Sequence, residues 1–384
     1  MRSFSLVIGL LCFNSLASAT TNSIRSNNTQ ILTPEVDAFI NNILADWNSA
    51  GGAGVAVVRM DGQGGWLIET KGYGVAKVDG TKINPDTIFP MGSNSKLFDI
   101  LATGLLISNE SLSPQISWTT KIASVIPGWK LMDPVASSES TITDLMSHRT
   151  GLPAHNFGFF LFNDSLPSVF QRLKYLKPST GFREDTQYNN FMYAVLSYLP
   201  TALLPHKPPF ARYVEEHILE PLGMNSSTYS FAAANATGRV ADGFAREGIN
   251  ITENPLGAGT TRVVPYLFPT NDDGDSTVSG AGGILTTAVD AARWLQLLLL
   301  NGQHPSTNAT IIPAAVIQKV ATGVTVWNGN GYESFCYLAF SDPEFRDAGQ
   351  LPDSPELSPA VYGGAQVQTS YRGHGACLIG FWAK

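Results

Sequence analysis

Phe89-Pro90-Met91-Gly92-Ser93-Asn94-Ser95-Lys96 is the stretch on which the reading of this chain turns. Ser93 is the only serine followed by lysine at the third position. Three residues is just under one helical turn, so Ser93 and Lys96 share a face and their polar atoms can meet. A serine hydroxyl is a poor nucleophile at neutral pH. A lysine that is partly desolvated gives up its proton more readily and can act as the base that activates it. A place in the first helical turn also directs free backbone N–H groups toward developing negative charge. The same four residues also read as an N-cap serine followed by a solvated lysine, and the motif alone does not separate the two.

Downstream of Ser93 the apolar residues Leu97, Ile100, Leu101, Leu105 and Leu106 keep helical spacing. Further helical stretches are predicted around Ile142 to Met146, Phe191 to Leu199, Phe210 to Leu219 and Asp290 to Leu300. Upstream, Thr33-Pro34-Glu35 opens another helix, with Thr33 as N-cap and Pro34 in the first turn. Gly54 to Arg59 and Trp66 to Lys71 then read as two strands joined by Asp61-Gly62-Gln63-Gly64. Val361 to Tyr371 is extended again. Strands at both ends with helices between them predict an α+β fold, in which a sheet built from the two termini carries a helical insertion.

The chain has 384 residues, 43% hydrophobic and 14% charged, enough for one large core or two intimate lobes. A net charge of −7 without basic clusters argues against a nucleic-acid surface. Arg2, the apolar run Phe4 to Leu16 and Ala17-Ser18-Ala19 form a signal-peptide pattern over residues 1–19, the alternative being a buried first strand. No later stretch is long and apolar enough to span a bilayer. Seven Asn-x-Ser/Thr acceptors follow, at Asn27, Asn109, Asn163, Asn225, Asn235, Asn250 and Asn308. With a signal peptide they predict a glycosylated, secreted protein. Cys336 and Cys377 form at most one disulfide or remain two buried thiols. No metal-ligand cluster and no cofactor motif is apparent, and no Gly-x-Ser-x-Gly occurs.

Tyr188-Asn189-Asn190 is the second chemical element. A tyrosine beside an ammonium releases its proton more easily, and Asn190 can offer an amide to substrate and lysine. With the Ser93 segment it matches a family. The chain resembles the class C β-lactamases and the related esterases and D-amino-peptidases. The resemblance extends through Thr143-Asp144-Leu145-Met146-Ser147-His148-Arg149-Thr150-Gly151-Leu152-Pro153, Pro221-Leu222-Gly223-Met224 and Ala281-Gly282-Gly283-Ile284-Leu285 with Asp290. These landmarks run in family order from about Pro34 to Tyr371.

The resemblance implies a β-lactamase/transpeptidase-like fold: an antiparallel sheet lobe (about 33–92 and 320–384), flanked by helices and facing an all-helical lobe (about 93–319). It implies Ser93 as nucleophile, Lys96 and Tyr188 as proton carriers, and Asn190 as a substrate-positioning residue. The Ser93 N–H and an N–H from a sheet-edge strand would form the oxyanion hole. His148 and Asp144 are expected to be structural. The family's third motif, Lys-Thr-Gly or His-x-Gly, has only His374-Gly375-Ala376 as its counterpart, with eight residues after it. His374 is therefore the expected substrate-side residue of that strand, and the C-terminal end is expected to be incomplete. The expected partner is a small-molecule or peptide-like acyl substrate, ester or amide. The rival reading is a secreted binding scaffold of the same fold with impaired catalysis.

Overall fold

The computed structural model describes residues 10–13, 30–61, 64–158, 164–268, 276–328, 360–371 and 374–379. The Ser93 segment sets its centre. Phe89–Pro90 pairs antiparallel with Leu285–Thr286, and Gly92 then turns the chain at φ +52° into a helical start. A side chain there would be strained, so glycine suits the turn. Gly92–Asn94 forms a 3₁₀ turn that runs into the helix Ser95–Ile107. Eleven of that helix's thirteen residues are buried, from Ser95 to Gly104 and Leu106. A helix enclosed on every side belongs to the core rather than the surface.

Around it lies one continuous apolar core. Leu97, Phe98, Ile100 and Leu101 meet Tyr193, Val214, Ile284, Trp294 and Val316 in a single cluster. Phe98 stacks on Trp294 with ring centroids 3.9 Å apart. The helices expected around Ile142 to Met146, Phe210 to Leu219 and Asp290 to Leu300 form as Ile142–Met146, Phe210–Val214 and Ala288–Leu299. The one expected over Phe191 to Leu199 is split into Asn190–Leu196 and Leu199–Leu203. After Val214 the helix widens into a π turn, Glu215–Leu219, just before Pro221. Proline has no N–H for the fourth carbonyl back, and a π turn is one way a helix absorbs that loss.

The N-terminal elements follow the sequence closely. Thr33 Oγ1 accepts from Val36 N–H and caps Pro34–Asp46. Gly52–Met60 and Trp66–Gly74 form an antiparallel hairpin, closed by Asp61 N–H donating to the Gly65 carbonyl. The fold class is α+β as expected, but its strands are divided. Among the described residues the hairpin pairs only with itself. A separate antiparallel sheet runs in the order Leu10–Phe13, His374–Ile379, Val367–Tyr371, Ala360–Tyr362, Thr325–Asn328. Leu10–Phe13 falls within the expected signal peptide and takes the edge beside His374–Ile379. Among the described residues the inserted lobe is mostly helical, and it adds the hairpin Gly243–Glu247 with Thr260–Val264 to the short strand Leu285–Thr286. No described helix is long and apolar enough to cross a membrane. Cys336 lies outside the described residues.

Candidate active site

Ser93 sits where three chain segments converge. Its own segment is locked by Ser95, whose Oγ donates to the Gly92 carbonyl at 2.8 Å and accepts from Ile284 N–H at 2.9 Å. Met91 N–H donates to the Ile284 carbonyl at 2.9 Å. The landmark Ala281 to Leu285 is therefore bolted to the nucleophile turn.

Lys96 is fully buried behind Ser93. Its Nζ lies 3.0 Å from Ser93 Oγ, 2.7 Å from Asn190 Oδ1 and 2.6 Å from the Ala281 carbonyl oxygen. The last two can only accept, so they fix two lysine N–H groups. The contact to Ser93 is the one across which a proton can pass in either direction. Burial pushes the ammonium well below the usual lysine range, with the Asp99 charge acting the other way. Lys96 is thus suited to stand as a free amine facing the serine hydroxyl.

Tyr188 completes the triangle, its phenol donating to Ser93 Oγ at 2.7 Å. Burial raises its proton affinity above that of an ordinary phenol, partly offset by the bond to Ser93. Resting Tyr188 is therefore a neutral donor, and a proton relay through it depends on Lys96, whose Nζ lies 4.9 Å from its ring centre. Asn190 turns Oδ1 to Lys96 and donates from Nδ2 to Asn156 Oδ1 at 3.0 Å. Asn156, at the exposed mouth of the site, carried no sequence signal of its own.

The segment carrying Tyr188 is held from behind. His148 is fully buried, its ring 4.5 Å from that of Tyr188. Its Nδ1 accepts from Asn189 N–H at 3.2 Å, which places the imidazole proton on Nε2. Burial, helped by the Lys96 charge, keeps His148 neutral. Asn189 Oδ1 caps the helix that begins at Asn190, and its Nδ2 donates to the Leu152 and Pro153 carbonyls. Asp144 binds Arg183 through both oxygens, at 2.8 and 2.7 Å, and Arg149 at 2.8 Å. His148 and Asp144 thus bind the Asn189 and Arg183 positions behind Tyr188, the structural place that the resemblance implied for them.

The structure therefore brings Ser93, Lys96, Tyr188 and Asn190 into one hydrogen-bonded group. Of His374 the backbone alone is described, paired with Tyr371 at the start of its strand. Among the described residues no group of His, Cys, Asp and Glu is arranged to hold a metal ion.

A family model described as Beta-lactamase matches residues 38–330. The chain belongs to the Beta-lactamase family. It is 32% identical over 251 residues to an unguisins hydrolase of Aspergillus campestris, a match covering 64% of this chain and 44% of that protein. The chain thus spans less than half that hydrolase's length. The penicillin-binding protein homologue of Pyrococcus abyssi superposes with a TM-score of 0.59 at 17% identity, over 90% of this chain and 72% of its own. A class C β-lactamase of Rhodobacter sphaeroides gives 0.57 at 16% identity, over 90% and 93%. At such identities these two establish the fold.

Proposed function

We propose that this chain is a secreted serine hydrolase that transfers acyl groups through a covalent Ser93 intermediate, acting on esters or amides. The observation that carries the reading is the contact of Ser93 Oγ with both the buried Lys96 amine and the Tyr188 phenol, at 3.0 and 2.7 Å. Lys96 takes the Ser93 proton as Oγ bonds to the substrate carbonyl carbon. The proton then passes, with Tyr188 as relay, to the departing alcohol or amine. Water enters by the reverse route to free the acyl group. Asn190 holds the lysine in place and keeps one amide hydrogen for substrate. The likeness to an unguisins hydrolase supports hydrolysis as the activity and makes unguisins a substrate class to assay.

Secretion rests on the N-terminal pattern and the acceptor asparagines. Asn225, Asn235, Asn250 and Asn308 are exposed and Asn109 is half-buried, which supports access for glycan transfer. Asn27 and Asn163 lie outside the described residues. Expression in a eukaryotic secretory host tests both halves of the proposal at once. After enzymatic deglycosylation, the protein in the medium should have the mass of a chain beginning at Thr20. Exposure to a fluorophosphonate should add one adduct, absent in Ser93→Ala. A chain retained inside the cell would overturn secretion, and labelling that persists in Ser93→Ala would move the nucleophile elsewhere.

Simple esters should be turned over faster than β-lactams. The sequence contains no Lys-Thr-Gly, the motif that in the resembling β-lactamases faces the substrate carboxylate. A chromogenic β-lactam hydrolysed faster than every ester in a small panel would contradict this.

A further inference from the structure

Lys96 stands over two aromatic rings, and the reaction proposed above uses only one of those residues. Its Nζ lies 4.9 Å from the ring centre of Tyr188 and 5.4 Å from that of Tyr193. Both are within the roughly 6 Å over which the negative face of an aromatic ring attracts a cation. Tyr193 is fully buried, so water does not weaken that attraction.

The ring is held by its own helix and by two neighbours. Tyr193 follows Asn190 by three residues on Asn190–Leu196, so the amide that binds Lys96 and the ring share one helical face. The Tyr193 hydroxyl donates to the Met146 carbonyl at 2.7 Å. Met146 ends the helix Ile142–Met146, where carbonyls lack partners within the helix. The hydroxyl is committed there, and the ring is what Tyr193 presents to the lysine. The His148 ring touches both tyrosines, at 5.2 Å from the Tyr193 centroid and 4.5 Å from that of Tyr188.

We infer that Tyr193 acts through Lys96, its ring face stabilising the ammonium formed when Lys96 takes the proton of Ser93. The inference rests on the Ser93–Lys96 mechanism proposed above. In that step the Oγ–H bond breaks, an Nζ–H bond forms and the Oγ electron pair goes to the acyl carbon. Tyr193 gains and loses no proton. The other groups around Lys96 leave this role open. Asn190 and Ala281 present neutral oxygens. Burial keeps His148 an uncharged imidazole, and it keeps Tyr188, Tyr193 and Tyr362 as phenols. On the lysine's own helix, burial pushes the Asp99 carboxyl well above the usual aspartate range and so favours its protonated form. A ring face attracts the ammonium less strongly than a carboxylate would, so the lysine can take the serine proton and still pass it on. Tyr193 is accordingly a positioning residue, acting on the proton affinity of Lys96 rather than on substrate.

The test is the pH profile of kcat/KM for an activated ester in full-length wild type and in variants at position 193. Tyr193→Phe keeps the ring and removes the hydroxyl, whereas Tyr193→Leu keeps apolar bulk and removes the ring. Without the ring face the lysine binds its proton less tightly, so its amine persists to lower pH. In Tyr193→Leu the acid limb should move down by about one pH unit, with a lower plateau and KM unchanged. Tyr193→Phe should keep the wild-type limb. Pentafluorophenylalanine at position 193 has the shape of the Phe ring with an electron-poor face, and it should move the limb as Tyr193→Leu does. Its comparison with Tyr193→Phe carries the test if Tyr193→Leu does not fold. A limb that stays in place in either variant lacking the negative face, or moves as far in Tyr193→Phe, would overturn the inference. A plateau that falls with the limb unmoved counts the same way, since a purely structural residue lowers the rate alone. Lys96→Ala separates the two levels. If it keeps the wild-type rate and limb, the site reading fails; if it loses both while Tyr193→Leu behaves as wild type, only the role of Tyr193 fails.

Discussion

Lys96 makes three short contacts, and as an ammonium it donates in all three. As an amine it keeps two as donor and turns its lone pair to Ser93. This asymmetry assigns unequal weight to the residues around it. Lys96→Ala removes the base, and Tyr188→Phe removes the relay without leaving a hole. Each should slow acylation by roughly 100-fold or more. Asn190→Ala should be milder, because the Ala281 carbonyl still holds the lysine. Single-turnover acylation rates check the ordering, and full activity in Lys96→Ala would remove lysine from the mechanism. Ser93, Lys96, Tyr188 and Asn190 were legible in the sequence because each pair is carried by one short segment with fixed spacing. The Ala281 carbonyl and Asn156 were not. A backbone oxygen has no sequence signature, and its contact with Lys96 spans 185 residues of chain.

At the level of elements, the site depends on how the Tyr188 segment is fastened to Ile142–Met146. Thr141 and Asp144 form a reciprocal capping box at the start of that helix. Asp144 then reaches Arg183, while Gln187 N–H donates to the His148 carbonyl at 2.9 Å. Burial raises the Asp144 pKa, but the bonds from Arg183 and Thr141 outweigh it and hold the carboxyl below its usual range. Its stabilising effect is thus present above the ordinary aspartate pKa and is lost as pH falls through the depressed one. Asp144→Ala leaves a partly buried guanidinium without its partner and should cost about 3 kcal/mol. A melting experiment at neutral pH reads this as a lower Tm, and the difference from wild type should shrink in strong acid. An unchanged Tm would mean that the arginines find other partners. The helix at Thr33 and the hairpin after it were legible because capping and turn residues are local signals. The division of the strands into two sheets was not, since pairing between distant strands leaves no periodicity in either one.

At the scale of the whole molecule, the family match over residues 38–330 takes in most of the main core cluster, which runs from Met91 to Ala365. The buried helix Ser95–Ile107 is its axis, and Ser93 stands in the 3₁₀ turn just before that helix. The proposed function turns at this scale on one electrostatic condition, a lysine whose proton affinity is lowered by enclosure within the protein. The most direct measurement is the rate of Ser93 acylation by a non-ionising phosphonate or activated ester, followed from acid to alkaline pH in wild type and Lys96→Ala. The account predicts a wild-type rate already at its plateau at neutral pH, its acid limb well below the ordinary lysine value of about 10.4, and loss of that limb with most of the rate in Lys96→Ala. A wild-type rate that keeps rising through pH 10, or a Lys96→Ala profile that matches wild type, would contradict it.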